Sequence, residues 1–288
     1  MIDPLTVRIA ASPDDPVAEV VHRELVWRGL SVHRDDHALL WTGRLELSVA
    51  TQGSEPPPAQ LVVDARSSLG GGATRPGGPA AWARLDAGLC EVERALAVAT
   101  PSRDLRVTLQ SHLTAGFALG RRFDRGAGWH LTVAGDHGDV VTGRHGDVVI
   151  GAPLATTDAV ESDVEIGRFG EAALVLVDLF GVDLSDAAAS VTASVGQPVS
   201  TRITVRRARG GDLDPPTVSG AAVSVADEIR QVVDRGRPGL VHLLCAAPVE
   251  FAVLVAHRLA RVDTPIQLYE PVGEDLRPSL LLRRDASL

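Results

Sequence analysis

Residues 107–139, VTLQSHLTAGFALGRRFDRGAGWHLTVAGDHGD, and residues 242–275, HLLCAAPVEFAVLVAHRLARVDTPIQLYEPVGED, share one order of structural elements. Each segment reads as an apolar strand, a short turn, a helix with apolar residues at helical spacing, and a second strand. The two segments align with roughly one residue of slippage, although few residues are identical. An internal repeat of this kind predicts two similar halves related by a pseudo-two-fold axis.

The rest of the chain predicts a mostly parallel sheet covered by helices in each half. Before the first repeat, strands and helices are predicted at LTVRIAAS (5–12), PVAEVVHRELVWRGL (16–30), SVHRD (31–35), ELSVATQG (46–53), QLVVDAR (60–66) and AAWARLDAGLCEVERALAVA (80–99). A second series begins at residue 171, with AALVLVDLF (172–180), LSDAAASVTASVG (184–196), TRITVRRA (201–208) and AAVSVADEIRQVVDRG (221–236) before the second repeat. Alternation of strand and helix is typical of the α/β class.

Two segments interrupt this alternation. The stretch SSLGGGATRPGGP (67–79) predicts a flexible surface linker, because its glycines fit neither a helix nor a strand pattern. An anion-binding nest of backbone amides is the alternative interpretation of the same glycines. The stretch GDHGDVVTGRHGDVVIGAP (135–153) contains HGDVV twice, starting at His137 and His145, and predicts a β-hairpin with polar residues on one face.

Charge and residue usage exclude several classes of protein. The formal net charge of −9 argues against a protein that coats long nucleic acids, which needs many cations to neutralise phosphates. All 28 basic residues are Arg, so a P-loop, a Schiff-base enzyme and a protein kinase, each of which needs a Lys, are excluded. A small anionic ligand remains compatible with this composition.

The cysteines and the termini favour a cytoplasmic protein. Two cysteines, Cys90 and Cys245, are too few for a disulfide framework, and Cys245 lies in an apolar strand-like segment typical of a buried thiol. The start of the sequence, MIDPLTVRIAA, lacks the regions of a signal peptide. The longest apolar stretch, residues 240–256, is interrupted by His242, Pro248 and Glu250, so no membrane span is expected.

Three blocks of the sequence resemble the SAVED family, whose members sit beside or are fused to effectors in bacterial cyclic-nucleotide antiviral systems and related CRISPR systems. The blocks are LTAGFALGRRFDRGAGWHLTV (113–133), ALVLVDLFG (173–181) with its following helix, and VHLLCAAPVEFAVLVAHRLARVDTPIQLYEPVGEDLRPSLLL (241–282). The resemblance covers residues 82–282 and implies two fused CARF-like (Rossmann-like) halves that bind a cyclic di-, tri- or tetranucleotide between them. One departure is that relatives often carry a Trp in the hairpin where this chain has the HGDVV repeat.

The domain organisation is predicted in four parts. Residues 1–66 complete the first CARF-like half, or are a vestigial TIR-like effector whose catalytic Glu is not evident. Residues 67–79 are the linker, residues 80–170 the first half and residues 171–288 the second half. Because the resemblance implies an effector, and because the duplication favours assigning residues 1–66 to the sensor, we expect the effector to act in trans.

Candidate ligand-binding residues follow the strands of both repeats. Parallel strands present their carboxyl ends at one edge, where free helix amides and guanidinium groups can meet phosphates. In the first half the candidates are Ser111, His112 and Thr114, with ordinary helix capping as the alternative. In the second half they are Ala246, Ala247 and Pro248, whose small size allows close approach, together with Phe180, Gly181, Asp183, Arg202, Arg206, Tyr269 and Glu270. Their alternatives are core packing for Phe180 and the alanines, a salt bridge for Glu270, and a solvated face for Arg202, Arg206 and Arg207.

The functional prediction is a regulatory receptor for a cyclic oligonucleotide that acts by shifting a conformational or oligomeric equilibrium. The alternatives are a ring nuclease, a TIR-type NAD-cleaving enzyme and a Rossmann-like metabolic enzyme. The pairs His137/Asp139 and His145/Asp147 are the residues best suited to a metal site, but no Cys or HExxH motif accompanies them. We therefore expect no catalytic residues, no cofactor and no metal.

Overall fold

The computed structural model of the chain describes residues 5–11, 15–39, 45–53, 55–69, 77–134, 140–141, 160–166, 171–196, 198–208, 213–272 and 275–284. They form two sheets with helices, which we call the first half (β1–β7 with α1–α4) and the second half (β8–β13 with α5–α7). No helix among these residues is long and apolar enough to span a membrane.

The first half contains seven strands and four helices among the described residues. They are β1 (Thr6–Ala11), α1 (Pro16–Trp27), β2 (Ser31–Leu39), β3 (Leu45–Ala50), β4 (Leu61–Asp64), α2 (Arg66–Leu69), α3 (Pro79–Ala99), β5 (Asp104–Gln110), α4 (Leu113–Arg122), β6 (His130–Ala134) and β7 (Val140–Val141), with a 3-10 turn at Arg125–Ala127. The strand order is β2-β1-β4-β3-β5-β6-β7, so the strands of residues 6–64 belong to the same sheet as the first sequence repeat.

The second half contains six strands and three helices among the described residues. They are β8 (Val160–Ile166), β9 (Ala172–Asp178), α5 (Ser185–Val195), β10 (Val199–Arg207), α6 (Pro215–Gly236), β11 (Leu240–Ala246), α7 (Val249–Leu259), β12 (Ile266–Val272) and β13 (Asp275–Leu282). The strand order is β13-β12-β11-β9-β10-β8.

Apart from β2, the two sheets have the same topology. The first half has the strand order β1-β4-β3-β5-β6-β7, and the second half has the corresponding order β8-β10-β9-β11-β12-β13. Each pair of neighbouring strands has the same relative direction, parallel or antiparallel, as its counterpart in the other half. The outer pairs are antiparallel and the three inner pairs are parallel. The duplication predicted from residues 107–139 and 242–275 is therefore confirmed by the strand connectivity.

Local sequence explains where the principal helices and strands begin. Helix α1 starts at Pro16 because the Asp15 side chain accepts hydrogen bonds from the first-turn amides of Val17 and Ala18. Helix α6 starts in the same way, with Asp214 as the cap and a proline directly after it. In β9 the continuous apolar run is buried on both faces, as parallel strands between helix layers require.

Some elements differ from the sequence-based expectations. Strands β8 and β13 were not predicted, because β8 is rich in charged residues at the sheet edge and Pro278 interrupts the pattern of β13. The predicted linker begins with helix α2, whose Leu69 is buried, while residues 70–76 lie outside the described residues. Within the predicted hairpin, Val140–Val141 pairs with β6; His137, Asp139, His145 and Asp147 lie outside the described residues.

Helices α4 and α7 are equivalent in the two halves and pack directly against each other. Gly116 of α4 lies against Val249 and Ala252 of α7, and Gly120 lies against the backbone of Val253. A Cβ atom at Gly120 would overlap the carbonyl oxygen of Val253, so the two backbones approach more closely than any larger residue permits. Their side chains belong to one continuous core that spans both halves.

We expect Gly120→Ala to lower the free energy of unfolding by about 1–3 kcal/mol, because overpacking a filled contact forces the backbones apart. The control is Gly236→Ala at the end of α6, where a Cβ atom meets only Pro238 at 3.9 Å. Alanine favours a helix over glycine, so the control variant should keep or gain stability, by at most about 1 kcal/mol. Urea denaturation of both variants measures the difference, and equal stabilities would contradict the close contact.

Candidate functional site

Each half has a topological switch point, the place where open α/β sheets bind ligands. In the first half the switch lies between β3 and β5, because the chain leaves β3 toward β4 on one side and returns to β5 on the other. In the second half the corresponding switch lies between β9 and β11. The residues that follow these four strands therefore define the candidate site in each half.

The α4–α7 contact brings the two switch points to the same edge of the molecule. Gly116 contacts Val249 and Gly120 contacts Val253, so the two helices run in the same direction with their first turns side by side. Both helices begin directly after a switch-point strand, at His112 and Pro248. Two helix N-termini, each with a partial positive charge, therefore face one edge.

At the first-half switch point, His112 contacts Thr51 through both its backbone and its side chain. The backbone amide of His112 donates to the Thr51 hydroxyl at 2.9 Å, and this hydroxyl lies 2.9 Å from His112 Nδ1. Burial lowers the pKa of His112, so the ring is neutral at pH 7. Among the described residues, His112 Nε2 and the hydroxyl of Ser111 are buried without a hydrogen-bond partner.

The two halves are joined at this edge by a buried polar contact. Thr114, in the first turn of α4, donates its backbone amide to Glu270 Oε1 at 2.8 Å, and its hydroxyl lies 2.7 Å from the Ser279 hydroxyl. Glu270 lies near the C-terminal end of β12 and is 4% exposed. Burial raises the pKa of Glu270, partly offset by the Thr114 hydrogen bond, and burial likewise raises the pKa of the neighbouring Cys245 thiol.

The second-half switch point is lined by small and apolar residues. The amide of Leu179 donates to the carbonyl of Ala246 at 2.8 Å, which holds the ends of β9 and β11 together. Ala247 is buried and Pro248 occupies the N-cap position of α7. By strand register Ala247 is equivalent to Ser111, so the two switch points differ in polarity.

Phe180 and Gly181 continue from β9 at this edge. The Phe180 side chain is 49% exposed, so the alternative that it is a core residue is wrong. Gly181 has a φ of +78°, which glycine adopts without strain. The carboxylate of Asp178 accepts from the amides of Phe180 at 3.1 Å and Val182 at 2.8 Å, and this turn fixes the exposed ring position.

A separate open cavity of about 280 Å³ lies on the α5 face of the second sheet. Asp183, just before α5, accepts from the Ser185 amide at 2.9 Å, and hydrogen bonds from Ser185, with the nearby charge of Arg206, lower the pKa of Asp183. The cavity is lined by Leu176, Asp178, Gly181, Val182, Asp183, Leu184, Ser185, Arg202, Thr204 and Arg206. It thus gathers the predicted residues Gly181, Asp183, Arg202 and Arg206.

Tyr269 is adjacent to Glu270 in sequence but points to the opposite face of the sheet. Its hydroxyl lies 2.7 Å from His242 Nδ1, and its ring packs on the cluster formed with α5. Burial raises the pKa of Tyr269 to about 12 and lowers the pKa of His242. Glu270 makes no ion pair with any described residue, so the predicted alternative of an Arg salt bridge is not observed there.

The structure therefore groups the predicted site residues into two sets and leaves Tyr269 apart. The first set lies where the switch-point strands and the α4–α7 contact end, and consists of Ser111, His112, Thr114, Phe180, Ala246, Ala247, Pro248 and Glu270. The second set lines the α5 cavity and consists of Gly181, Asp183, Arg202 and Arg206. Sequence reasoning missed Thr51 and Ser279. Thr51 lies within the predicted extended segment ELSVATQG (46–53), and knowledge that β3 adjoins β5 would have placed it beside His112. No metal-ligating cluster occurs within the described residues.

We expect the stability of the protein to depend on pH through Glu270. The folded state raises the pKa of Glu270 above the ordinary 4.5. Between the unfolded-state pKa and the folded-state pKa, the folded chain therefore keeps a proton that the unfolded chain has lost, and the free energy of unfolding falls as the pH rises. Glu270→Gln keeps an acceptor for the Thr114 amide but cannot titrate. The unfolding free energy of this variant relative to wild type should therefore increase as the pH rises above the ordinary carboxyl pKa of 4.5.

Denaturant titrations at several pH values measure this difference. Glu161→Gln on β8 is the control for the same substitution at an exposed position. A flat profile for the Glu270 variant would contradict a raised pKa for this buried carboxyl group.

Comparisons with known proteins give the same architecture. The Cap4 SAVED/CARF-domain containing receptor of Acinetobacter baumannii, solved with the cyclic trinucleotide 2'3'3'-cAAA, matches with a TM-score of 0.65 and 16% identity over 83% of this chain and 51% of its own. The same receptor with 3'3'3'-cAAA gives 0.61 and 15% identity over 98% and 52%. The Moraxella osloensis Cap4 receptor gives 0.55 and 16% identity over 83% and 50%. The chain thus spans about half the length of these relatives.

These structural matches confirm the predicted α/β fold with mostly parallel sheets and its CARF-like relationship. No curated protein matches the chain significantly. The family model described as "SMODS-associated and fused to various effectors sensor domain" matches residues 89–277, which is more than half of the chain. This chain therefore belongs to the SAVED family.

Proposed function

We propose that this chain is a receptor for a cyclic oligonucleotide in antiphage defence. The observation that carries the proposal is the parallel packing of α4 and α7, which sets two switch points and two helix N-termini side by side. A ligand with repeated phosphates fits two such neighbouring sites better than a single nucleotide does. The cyclic trinucleotides bound by the Cap4 receptors support this class of ligand.

The messenger lies across the inter-half edge. Ser111 offers a buried hydroxyl and His112 a buried imidazole nitrogen in the first half, and Ala246, Ala247 and Pro248 let the ring approach the backbone in the second. Phe180 offers a half-exposed aromatic face on which a base can stack. The guanidinium groups of Arg202 and Arg206, in the adjoining cavity, supply positive charge near the same turn.

The receptor acts on an effector in trans. Binding energy that differs between two arrangements of the halves shifts the population toward one of them, and this shift changes oligomeric state or releases a partner. The contact from Glu270 to Thr114 crosses between the halves at the binding edge, so it is placed to respond to the ligand.

The test is a calorimetric titration of the purified protein with cyclic di-, tri- and tetranucleotides, including 2'3'3'-cAAA and 3'3'3'-cAAA. We expect one ring to bind tightly and to be recovered intact by chromatography, with light scattering reporting a ligand-dependent change in mass. Recovery of a linear product would replace the receptor with a ring nuclease. Failure of every ring to bind would overturn the proposed function.

A second experiment tests the predicted base platform. We expect Phe180→Ala to weaken binding of that ring by about tenfold, because stacking of one base on an aromatic ring contributes about 1–3 kcal/mol. Phe180 is half exposed, so its loss should leave folding intact. Trp27→Ala is the control, since Trp27 is 76% exposed at the end of α1 and should not affect affinity. Equal affinities for wild type and the Phe180 variant would remove Phe180 from the site.

A further inference from the structure

The N-terminus of α4 is an anion-binding position that the protein fills with its own carboxylate. The helix has ten residues, and its N-cap residue His112 makes no side-chain capping bond. The first-turn amide of Thr114 instead donates to Glu270 from the other half, at 2.8 Å. The Glu270 carboxyl oxygen accepts from this amide in the place where a ligand phosphate oxygen would accept.

A second observation at the same place points to a larger acceptor than one carboxylate oxygen. The hydroxyl of Ser111, two residues before the helix, is in a residue only 8% exposed and has no hydrogen-bond partner among the described residues. His112 Nε2 is buried and without a partner in the same part of the chain. Buried polar atoms are rarely left unpaired, so each calls for a hydrogen-bond partner at this edge.

We propose that Glu270 is an internal competitor for the messenger: a phosphate of the ring replaces its carboxylate at the Thr114 amide and also accepts from Ser111. The inference rests on the proposed function, since it concerns how that same ligand is bound. It assigns Glu270 to regulation of the site rather than to recognition of a base.

The surroundings of the Thr114 amide favour replacement of the Glu270 carboxyl group by a ligand phosphate. Glu270 is 4% exposed, and a carboxylate held there loses hydration that it regains when the side chain leaves. A phosphodiester spreads its charge over two free oxygens, which can accept from the Thr114 amide and the Ser111 hydroxyl together. Only one Glu270 oxygen has a hydrogen bond to Thr114 in the structure.

The second half offers no equivalent exchange. The first turn of α7 carries Glu250, which is buried and covalently part of that helix, at the position equivalent to Thr114. Because Glu250 belongs to α7 itself, its side chain cannot leave that helix in the way that Glu270 can leave α4. The phosphate therefore binds at α4, and its binding breaks the hydrogen bond between β12 and α4. The Thr114–Ser279 hydroxyl contact then remains as the second polar contact between α4 and the second half.

The experiment compares affinities of four variants for the ring that binds wild type most tightly in the panel, beginning with 3'3'3'-cAAA. Glu270→Ala vacates the α4 N-terminus and should tighten binding by about tenfold, the effect of one charge-assisted hydrogen bond. Glu270→Gln keeps the hydrogen bond without the charge, should tighten binding by a smaller factor, and serves if the Ala variant does not fold. Ser111→Ala should weaken binding by about tenfold.

Two matched controls separate this effect from general loss of packing. Ser48→Ala matches Ser111→Ala, because Ser48 on β3 has another buried hydroxyl without a described partner. Glu93→Gln matches Glu270→Gln, because the Glu93 carboxylate also accepts a hydrogen bond, from Trp129 at 2.7 Å. Both controls should bind as wild type does.

The outcomes distinguish the two proposals. Weaker binding by the Glu270 variants would show that this carboxylate contacts the ring directly, and unchanged binding would show that it does not compete; either result overturns the inference and leaves the receptor function standing. If neither wild type nor Glu270→Ala binds any ring in the panel, the proposed function fails and the inference fails with it.

Discussion

The close contact of α4 with α7 is the constraint on which the rest of the molecule depends. Two glycines one turn apart, Gly116 and Gly120, let the backbones meet, and the helices run in the same direction. Parallel packing places both first turns at one edge, whereas antiparallel packing would send one of them to the far end. The position of the candidate site is thus a consequence of helix packing, and the same contact unites the two halves in one core.

The halves share a topology but differ at equivalent positions of the candidate site. The hydroxyl of Ser111 has Ala247 as its counterpart, and Thr114 has Glu250. The first half passes directly from β3 to β4, whereas the second inserts α5 and with it the cavity that contains Arg202 and Arg206. A duplicated framework therefore carries two chemically distinct surfaces, with donors concentrated in the first half and small or cationic groups in the second.

Much of the fold could be predicted from the sequence because helix and strand periodicity are local signals. The repeat in residues 107–139 and 242–275 was readable for this reason, and so was the position of Ser111 and Ala247 after equivalent strands. Which strands adjoin is a long-range property. The Thr51–His112 contact joins residues that are 61 positions apart, and the Thr114–Glu270 contact joins residues that are 156 positions apart, so neither contact is visible in local sequence patterns. Edge strands such as β8 were missed since charged residues weaken the apolar alternation on which a strand prediction rests.

The fusion of two unequal halves in one polypeptide also bears on what kind of ligand can be distinguished. A receptor built from two identical subunits presents the same groups twice, and it can match only features that a ligand itself repeats under a two-fold rotation. In this chain Ser111 and Ala247 occupy equivalent positions yet differ in chemistry, because each is encoded separately. Covalent duplication thereby frees the candidate site from two-fold symmetry, so that its two sides can match different features of one partner molecule.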